Sequence, residues 1–333
     1  MSTQYLSESS DSKHHIHRQV STKNPEIGRV LVTGGTGFVG GYVVRTLLKN
    51  GYVVRVFARS NRRRLGSSEN SERSEIVQGD ILNPSVIQQA AENCDAIIHL
   101  VGIIEEAPRR GITFDSIHVT GTRNVLSAAR SAGVRSVVHM SANGASESGR
   151  TAYQRTKWEA EELVRNSGME YWTIFRPSLI FGKPDSGCIE FGSRIVDTLI
   201  RPFPIWPIPG RGDYRLQPVA VENVATAFVN ALGSRRHSGK TYCVGGPETH
   251  SYVEILDMLS RAIGKKPRPK LYQPIWGMRP LVSLLAPTGI LPITPAQLEL
   301  LIGGNTCDSN QFQEDFEIQL TPFGPESLAY LIE

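Results

Sequence analysis

The chain has 333 residues, of which 40% are apolar and 20% are charged, and its formal net charge is +4. This length allows one large α/β domain plus a smaller lobe, and the composition is typical of a soluble globular protein. Basic residues form no long run interleaved with aromatic ones, so the sequence gives no indication of a nucleic-acid partner.

The N-terminal segment, residues 1–26, is polar, with Ser-rich and His-rich pieces and no apolar run of the kind found in secretory signals. We predict a disordered polar tail there. The cysteines lie far apart and no two have the spacing of metal ligands, which predicts reduced thiols, no metal site and a cytoplasmic location. They are Cys94, Cys188, Cys243 and Cys307.

The first motif along the chain is a glycine-rich loop. Apolar residues 30–32 predict a buried strand, three glycines follow at a spacing of three, and the pattern over residues 42–48 predicts a helix. Gly34 permits the sharp turn, Gly37 lets a pyrophosphate approach the backbone, and Gly40 lets helix and strand pack closely. The positive end of the helix favours an anion. We predict dinucleotide contacts at Gly34, Thr36, Gly37, Phe38, Val39 and Gly40.

Strands and helices then alternate. Strands are predicted at 52–58, 75–78, 95–102, 134–140 and 171–175, and helices from 84, over 114–132 and over 152–166. This alternation predicts an α/β fold with a parallel sheet covered by helices on both faces. Right-handed crossovers favour the doubly wound (Rossmann) order. We therefore assign residues 27–180 to an NAD(P)-binding Rossmann domain.

Beyond residue 180 the composition changes. Four prolines within residues 201–210 exclude a helix or a central strand there. We predict that residues 181–333 form a smaller substrate or partner lobe over the carboxyl edge of the sheet, with some strands and helices returning to the Rossmann core. A helix over 221–232 and a strand over 240–244 are expected within this segment.

The candidate catalytic pair is Tyr153 and Lys157, which lie at i and i+4 on one face of the helix after the fifth strand. A nearby ammonium and an oxidised nicotinamide would both lower the pKa of the tyrosine from about 10, so that it exchanges a proton while hydride moves. Ser141, at the end of the fifth strand, is the candidate hydrogen-bond partner of a substrate carbonyl. Asn143 is the alternative donor, and Ser141 would then serve only as a local turn residue.

The candidate for cofactor selection is Arg59, at the end of the second strand. An acidic residue there would bind a ribose 2′-hydroxyl, whereas an arginine accommodates a 2′-phosphate, so we favour NADP(H) over NAD(H). The run Arg62–Arg63–Arg64 would reinforce the positive field, unless this is only a solvated basic loop. Asp80, after the third strand, is placed to accept a hydrogen bond from the adenine amino group.

These motifs together resemble the extended or atypical short-chain dehydrogenase/reductase superfamily, which includes the NAD-dependent epimerase/dehydratase family. The nucleotide loop, Gly79-Asp80 and the Tyr153–Lys157 pair carry the resemblance, and so do the segments 175–182 and 217–225. The resemblance covers about residues 28 to 250. It implies that the segment beginning at residue 175 touches the nicotinamide. The cofactor contacts that we add on this basis are Ile81, Val101, Gly102, Pro177 and Ser178.

Three segments are most similar to the group around the NADPH-binding accessory subunit of respiratory complex I: residues 175–182, residues 217–225, and residues 245–248 together with 291–294. The resemblance implies tight NADPH binding, without turnover in some members, and contact with a respiratory complex at the inner membrane. Two departures stand out from the sugar-epimerase pattern. The serine cluster is reduced to Ser141-Ala142-Asn143, and His118 replaces an asparagine.

Three functions remain open: an NADP(H)-dependent oxidoreductase or epimerase acting on a small molecule, a cofactor-holding accessory protein, and a nucleoside-diphosphate-sugar epimerase. The third requires a basic cleft for two phosphates, for which the candidates are Arg194, Arg201, Arg211 and Arg215. Neither the substrate nor the oligomeric state follows from the sequence.

Two further features of the sequence, a set of three histidines and an apolar stretch, each have a structural and a functional interpretation. His99, His118 and His139 share no ligand spacing, so we expect satisfied, partly buried side chains rather than metal ligands. The apolar stretch 281–293 is too short and broken to span a bilayer. We expect it to be core or lid, with peripheral contact with a membrane or a partner as the alternative.

Overall fold

The computed structural model describes residues 24–60, 72–185, 187–188, 190–285 and 293–332. Most of the tail predicted for residues 1–26, the Arg62–Arg64 run and part of the stretch 281–293 lie outside the described residues. The strands are β1 (Arg29–Thr33), β2 (Val53–Ala58), β3 (Ser74–Gln78), β4 (Ala96–His99), β5 (Ser136–Met140), β6 (Tyr171–Pro177), β7 (Ile180–Phe181), β8 (Trp206–Pro209), β9 (Arg215–Leu216), β10 (Val219–Ala220), β11 (Lys240–Val244), β12 (His250–Ser251) and β13 (Lys270–Gln273).

The core of the molecule is a seven-stranded sheet in the order β3-β2-β1-β4-β5-β6-β11. Every neighbouring pair in it is parallel. Because the chain starts at β1 and winds outward from it in both directions, the carboxyl ends of β1 and β4 flank the position where the strand order reverses. This arrangement confirms the predicted doubly wound α/β fold, and it places the ligand crevice at that edge.

Helices cover both faces of the sheet. The helices of the described residues are α1 (Phe38–Lys49), α2 (Pro84–Ala91), α3 (Gly121–Ser131), α4 (Ala152–Arg165), α5 (Phe191–Ile195), α6 (Val221–Asn230), α7 (Tyr252–Ala262), α8 (Ile275–Leu285), α9 (Pro295–Ile302) and α10 (Asn310–Phe316). A π-helical turn, Asp115–Thr120, leads directly into α3. Within the described residues, no helix is long and apolar enough to cross a membrane.

Successive residues of β1 point to opposite faces of the sheet, because side chains alternate along a strand with a period of two residues. Val30 and Val32 pack in the cluster that includes α1 and α6, whereas Leu31 packs in the cluster that includes α2 and α3. All three side chains are fully buried. The sheet is therefore covered on both faces, which is why its strands are near-continuous apolar runs.

The chain beyond residue 180 contributes to the Rossmann core and also forms a separate apolar cluster. β11 pairs with β6 as the seventh strand, and α6 packs against α1, so both belong to the Rossmann core. A separate apolar cluster is built around Phe181, Trp206 and Leu256. The proline-rich segment 201–210 contains only β8, which pairs with β13 in a two-stranded sheet. The domain boundary at residue 180 stays a prediction.

Candidate cofactor and active site

The glycine loop joins β1 to α1 in the geometry that a dinucleotide requires. Gly34 has φ +77°, a backbone conformation in which a side chain is strained. A Cβ at Gly40 would overlap the carbonyl oxygen of Gly34, so only glycine allows the helix this close to the turn. Gly37 is the N-cap of α1 and provides no side-chain cap. The first N–H groups of α1 are thus left for an anionic ligand.

The other predicted loop residues lie on the same turn. Phe38 and Val39 open α1, and Val39 is buried in the core cluster. The carbonyl oxygen of Thr36 accepts a hydrogen bond from the Cys188 thiol at 3.7 Å, so the chain after β7 passes beside the loop. The side chain of Val101 lies 3.3 Å from where a Cβ of Gly34 would stand. The loop and the end of β4 are therefore in direct contact.

A surface pocket of about 480 Å³ lies at the carboxyl ends of β2 and β3, and it is lined by Arg59, Gln78, Gly79 and Asp80. Arg59 is exposed there, and its carbonyl oxygen accepts a hydrogen bond from the Gln78 amide. One oxygen of Asp80 accepts the Leu82 N–H at 2.9 Å. The two residues that the sequence assigns to the adenosine end of a cofactor thus line one pocket, and Arg59 is its cation.

Ile81 and Gly102 connect this pocket to the rest of the crevice. Ile81 is buried, and its carbonyl oxygen accepts a hydrogen bond from the Asn124 amide at 3.0 Å. A Cβ at Gly102 would stand 2.9 Å from the Lys157 Nζ atom. The loop after β4 therefore lies against the end of the Lys157 side chain.

Tyr153 and Lys157 lie one turn apart on α4, which begins with a complete capping box at Thr151 and Gln154. The Lys157 side chain is only 3% exposed, and its ammonium donates to the Met140 carbonyl at the end of β5 at 3.1 Å. The Tyr153 ring packs edge-on against Phe114 and His118, with centroids 5.7 and 5.5 Å away. Helix α4 thus brings the pair to the carboxyl edge of the sheet.

Burial dominates the protonation of this pair. It lowers the pKa of Lys157 to about 8, and the charge of Glu161 opposes part of that change. It raises the pKa of Tyr153 to about 12. The expectation that the neighbouring ammonium lowers the tyrosine pKa is wrong for the protein by itself, where desolvation of the phenolate raises that pKa.

Ser141 and Asn143, the two candidate carbonyl donors, are both engaged within the protein. The buried Ser141 hydroxyl donates to Glu161 Oε1 at 2.5 Å. Since a hydroxyl has one proton, it has none to give to a substrate in this arrangement. The Asn143 amide donates to Asn305 Oδ1 at 2.6 Å and to the Thr306 carbonyl at 3.0 Å. Neither donor is presented to a substrate in this arrangement.

The segment after β6 is fixed by hydrogen bonds on both sides. The Pro177 carbonyl accepts the Asn143 N–H at 2.9 Å. The Ser178 N–H donates to the Val244 carbonyl at 2.9 Å, and its hydroxyl donates to the Gln217 carbonyl. The polar hydrogens of Ser178 thus hold β6, β11 and the chain before β10 together, and their role toward a cofactor stays a prediction.

Glu161 is a central residue of the site that the sequence analysis did not identify. Its carboxylate is fully buried and pairs with Arg176 at 2.6 Å and with Arg165 at 2.5 Å. It lies four residues after Lys157 on the same face of α4, so the helical spacing could have pointed to it. Its contact with Ser141 couples the end of β5 to α4.

Two of the three histidines are buried and hydrogen-bonded. His99 lies between the hydroxyls of Thr33 at 2.7 Å and Thr122 at 3.0 Å. His118 contacts the Thr156 hydroxyl with Nδ1 at 3.0 Å and accepts the Ile103 N–H with Nε2 at 3.1 Å. Burial lowers the pKa of His99 to about 3 and that of His118 to about 2, so both rings are neutral. His118 therefore ties the loop after β4 to α4.

His139 differs from the expectation of a satisfied histidine. Its ring is buried, and neither ring nitrogen has a hydrogen-bond partner among the described residues. It packs against the His99 ring with centroids 5.1 Å apart, because the two residues are register partners on β4 and β5. Burial holds the pKa of His139 well below its usual range, so the ring is neutral.

Comparison with known proteins agrees with this geometry. Residues 30–245 match the model of the NAD dependent epimerase/dehydratase family. The chain is 30% identical over 271 residues to the mitochondrial NADH dehydrogenase [ubiquinone] 1 alpha subcomplex subunit 9 of Arabidopsis thaliana, covering 76% of this chain and 63% of that one. It thus spans less than two thirds of the length of that subunit.

Two further similarities point the same way. The chain is 28% identical over 270 residues to a 3 beta-hydroxysteroid dehydrogenase/Delta 5-->4-isomerase of Mycobacterium tuberculosis, covering 72% of this chain and 71% of that one. The structure of MoeE5 in complex with UDP-glucose and NAD has the same fold, with a TM-score of 0.69 at 22% identity over 92% of this chain and 97% of that chain. The resemblance inferred from the motifs is confirmed, and this chain belongs to the NAD dependent epimerase/dehydratase family.

Proposed function

We propose that this protein is an NADP(H)-dependent oxidoreductase that acts on an uncharged carbonyl or alcohol through Tyr153 and Lys157. The observation that carries the proposal is their position. The Lys157 ammonium reaches the Met140 carbonyl and lies against Gly102, next to the residue that contacts the glycine loop. A nicotinamide ribose that extends from that loop would therefore meet Lys157 and Tyr153.

The residues present fit such a cofactor. Gly40 allows the close approach of helix and turn, and the start of α1, which has no side-chain cap, provides N–H donors. Arg59 provides positive charge in its pocket. A bound nicotinamide would supply the hydride. The Arg59 guanidinium would pair with a 2′-phosphate, which NADP(H) has and NAD(H) lacks.

Tyr153 supplies the proton. Its raised pKa keeps the phenol protonated at neutral pH, so it serves as a general acid toward a carbonyl oxygen, which is the direction of reduction. Lys157 keeps its charge below pH 8 and uses one N–H on Met140, which leaves two for ribose hydroxyls. The lysine thereby anchors the cofactor and stabilises the phenolate that forms.

The substrate is proposed to be uncharged because three of the four arginines considered for a sugar diphosphate are paired with carboxylates. Arg201 binds Asp197 at 2.7 Å, Arg211 binds Asp213 at 3.2 Å, and Arg215 binds Glu254 at 3.5 Å. A diphosphate would have to displace these carboxylates. The relative from Mycobacterium tuberculosis is named as a dehydrogenase of a 3 beta-hydroxysteroid, which supports this choice.

The test is the pair Tyr153→Phe and Tyr171→Phe. Tyr171 is the first residue of β6 and lies at the amino ends of the parallel strands, whereas the proposed site lies at their carboxyl ends. Tyr171→Phe therefore controls for the removal of a tyrosine hydroxyl away from the site. With a panel of steroid, fatty-acyl and quinone carbonyls, we expect Tyr153→Phe to lower kcat by about 10²–10⁴-fold and to leave the Kd for NADPH within about twofold. Equal loss of turnover and NADPH affinity would contradict a catalytic tyrosine.

A second candidate is an accessory protein that holds NADPH without turning it over. It is favoured by the engagement of both carbonyl donors, Ser141 with Glu161 and Asn143 with Asn305. The relative from Arabidopsis is named as a subunit of NADH dehydrogenase. This function predicts a large rise of melting temperature with NADPH and no NADPH oxidation with any carbonyl or quinone of the panel. Steady turnover of one substrate would eliminate it.

A further inference from the structure

Helix α8 is unusually apolar for a helix on the surface. Its eleven residues include one charged side chain, Arg279. Trp276 is nevertheless 80% exposed and Leu284 76% exposed, whereas Val282 is buried. At about 100° per residue, Leu284 projects between Trp276 and Leu281, and Val282 lies on the opposite side. The helix is thus seated on the protein by one side and presents an apolar face to solvent.

The orientation of α8 is held by contacts on its inner side. Arg279 forms a two-pronged ion pair with Glu299 of α9, at 2.8 and 3.1 Å. Val282 is 1% exposed against the body of the protein. The outward direction of Trp276 and Leu284 is therefore a consequence of how the helix is anchored.

The apolar surface continues onto the neighbouring two-stranded sheet. Leu271 and Tyr272 of β13 are 55% and 52% exposed, and Ile205, just before β8, is 51% exposed. The Trp206 N–H donates to the Pro269 carbonyl, and the Arg268 guanidinium donates to the Phe203 carbonyl, so the two segments lie side by side. Tyr272 is the register partner of the buried Ile208 and points to the other side of the strand from Leu271. We call the remaining exposed side chains, with those of α8, the apolar face: Phe203, Ile205, Leu271, Trp276, Leu281 and Leu284.

The charge around the apolar face is mainly positive, although Lys270 is paired with Asp257 and Arg279 with Glu299. Residues 261–285 contain six cations and no aspartate or glutamate. Lys265 and Lys266 are exposed at the turn before β13, and within the described part of the chain neither has an ion-pair partner. Arg268 uses its guanidinium on a backbone carbonyl and keeps its charge uncompensated there. Exposed tryptophan and leucine side chains in a segment that also carries the exposed Lys265 and Lys266 match the boundary of an anionic bilayer.

We propose that the apolar face docks the protein on the surface of a membrane that contains anionic lipids. Trp276, Leu284 and their apolar neighbours would enter the headgroup region, and the lysines would lie over the phosphates. A second copy of the chain fits less well, since a two-fold contact would bring the same lysines of both copies together. The docking does not depend on the proposed reaction.

The experiment is flotation of the full chain with vesicles of phosphatidylcholine alone or with 30% phosphatidylglycerol. We expect binding to the anionic vesicles, weakened by 0.5 M salt, and little binding to the neutral ones. The double variants Lys265→Glu/Lys266→Glu and Trp276→Ser/Leu284→Ser should each lower the partition coefficient at least tenfold. Lys49→Glu, at an exposed lysine on α1, is the control for charge reversal elsewhere on the surface and should bind as the unaltered protein does.

The folding of each variant is checked by its melting temperature, which these exposed positions should leave unchanged. Ile332, which is 69% exposed elsewhere on the surface, gives the apolar control Ile332→Ser. The proposal is overturned if the unaltered protein fails to float at millimolar anionic lipid, or if both double variants float as well as the controls do. It is equally overturned if sedimentation shows a dimer that Trp276→Ser/Leu284→Ser dissociates while vesicle binding is absent.

Discussion

Replacing Lys157 by methionine should stabilise the protein while it removes activity. Burial lowers the pKa of this lysine from 10.5 to about 8, so the buried ammonium costs about 3 kcal/mol of folding free energy at pH 7. Methionine has nearly the same length and carries no charge. Loss of the hydrogen bond to the Met140 carbonyl offsets about 1 kcal/mol of the free energy gained by removing the charge. The expected net gain is about 2 kcal/mol, or about 4 °C in Tm.

The pH dependence gives a second signature. Between pH 8 and 10.5 the unfolded chain binds more protons at Lys157 than the folded protein does, so the unaltered protein gains stability as the pH rises through this window. Below pH 8 Lys157 is charged in the folded protein, and the destabilisation by its buried ammonium is fully present. The advantage of Lys157→Met should therefore be largest at pH 7 and should shrink toward pH 10. Urea unfolding at a series of pH values measures it.

Lys49→Met is the matched control, since Lys49 is exposed in the last turn of α1 and its removal should change stability by less than about 0.5 kcal/mol. The reasoning fails if Lys157→Met is less stable than the unaltered protein at pH 7. It fails as well if the difference between the two proteins is the same at pH 7 and pH 10, because the buried charge would then not be its source.

Three further changes test other parts of the site. Gly40→Ala places a Cβ onto backbone atoms of the preceding turn, so it should abolish the stabilisation by NADPH in a thermal-shift assay. Glu161→Ala removes the buried carboxylate that pairs with the half-buried Arg176 and Arg165, of which Arg165 keeps Glu162, and should cost about 2–4 kcal/mol in urea unfolding, whereas Glu162→Ala at a partly exposed position of α4 should cost less than about 1 kcal/mol. The pKa of the Cys243 thiol is lowered by its hydrogen bond with the Cys307 thiol, so its alkylation by iodoacetamide should reach half-maximal rate at a lower pH than that of free cysteine, and Cys307→Ala, which removes the donor, should raise that midpoint.

The glycine loop and the sheet order could be predicted because their signals are local. The spacing of Gly34, Gly37 and Gly40 and the alternation of apolar strands with helices both lie within short windows of sequence. The strand over 240–244 was predicted as well. Its place beside β6 depends on a pairing of Lys240 with Thr173, nearly seventy residues away, and no local pattern specifies that partner.

The details of the site were harder to predict because they depend on contacts between distant segments. Asn143 is held by Asn305 and Thr306 from the C-terminal part of the chain, which occupies its amide. The raised pKa of Tyr153 follows from burial, whereas the sequence shows only its neighbouring charge. Nothing in the sequence indicates that the His139 ring has no hydrogen-bond partner among the described residues, because this follows from the packing of β5 beneath the helices.

The account depends on an anionic dinucleotide binding at the start of α1 with its adenosine phosphate against Arg59. Isothermal titration of the purified protein with NADPH and with NADH tests this most directly. We predict at least tenfold tighter binding of NADPH, because only NADPH carries the phosphate that the guanidinium would pair with. Failure of both nucleotides to bind at millimolar concentration would contradict the account, and tighter binding of NADH would contradict the role of Arg59.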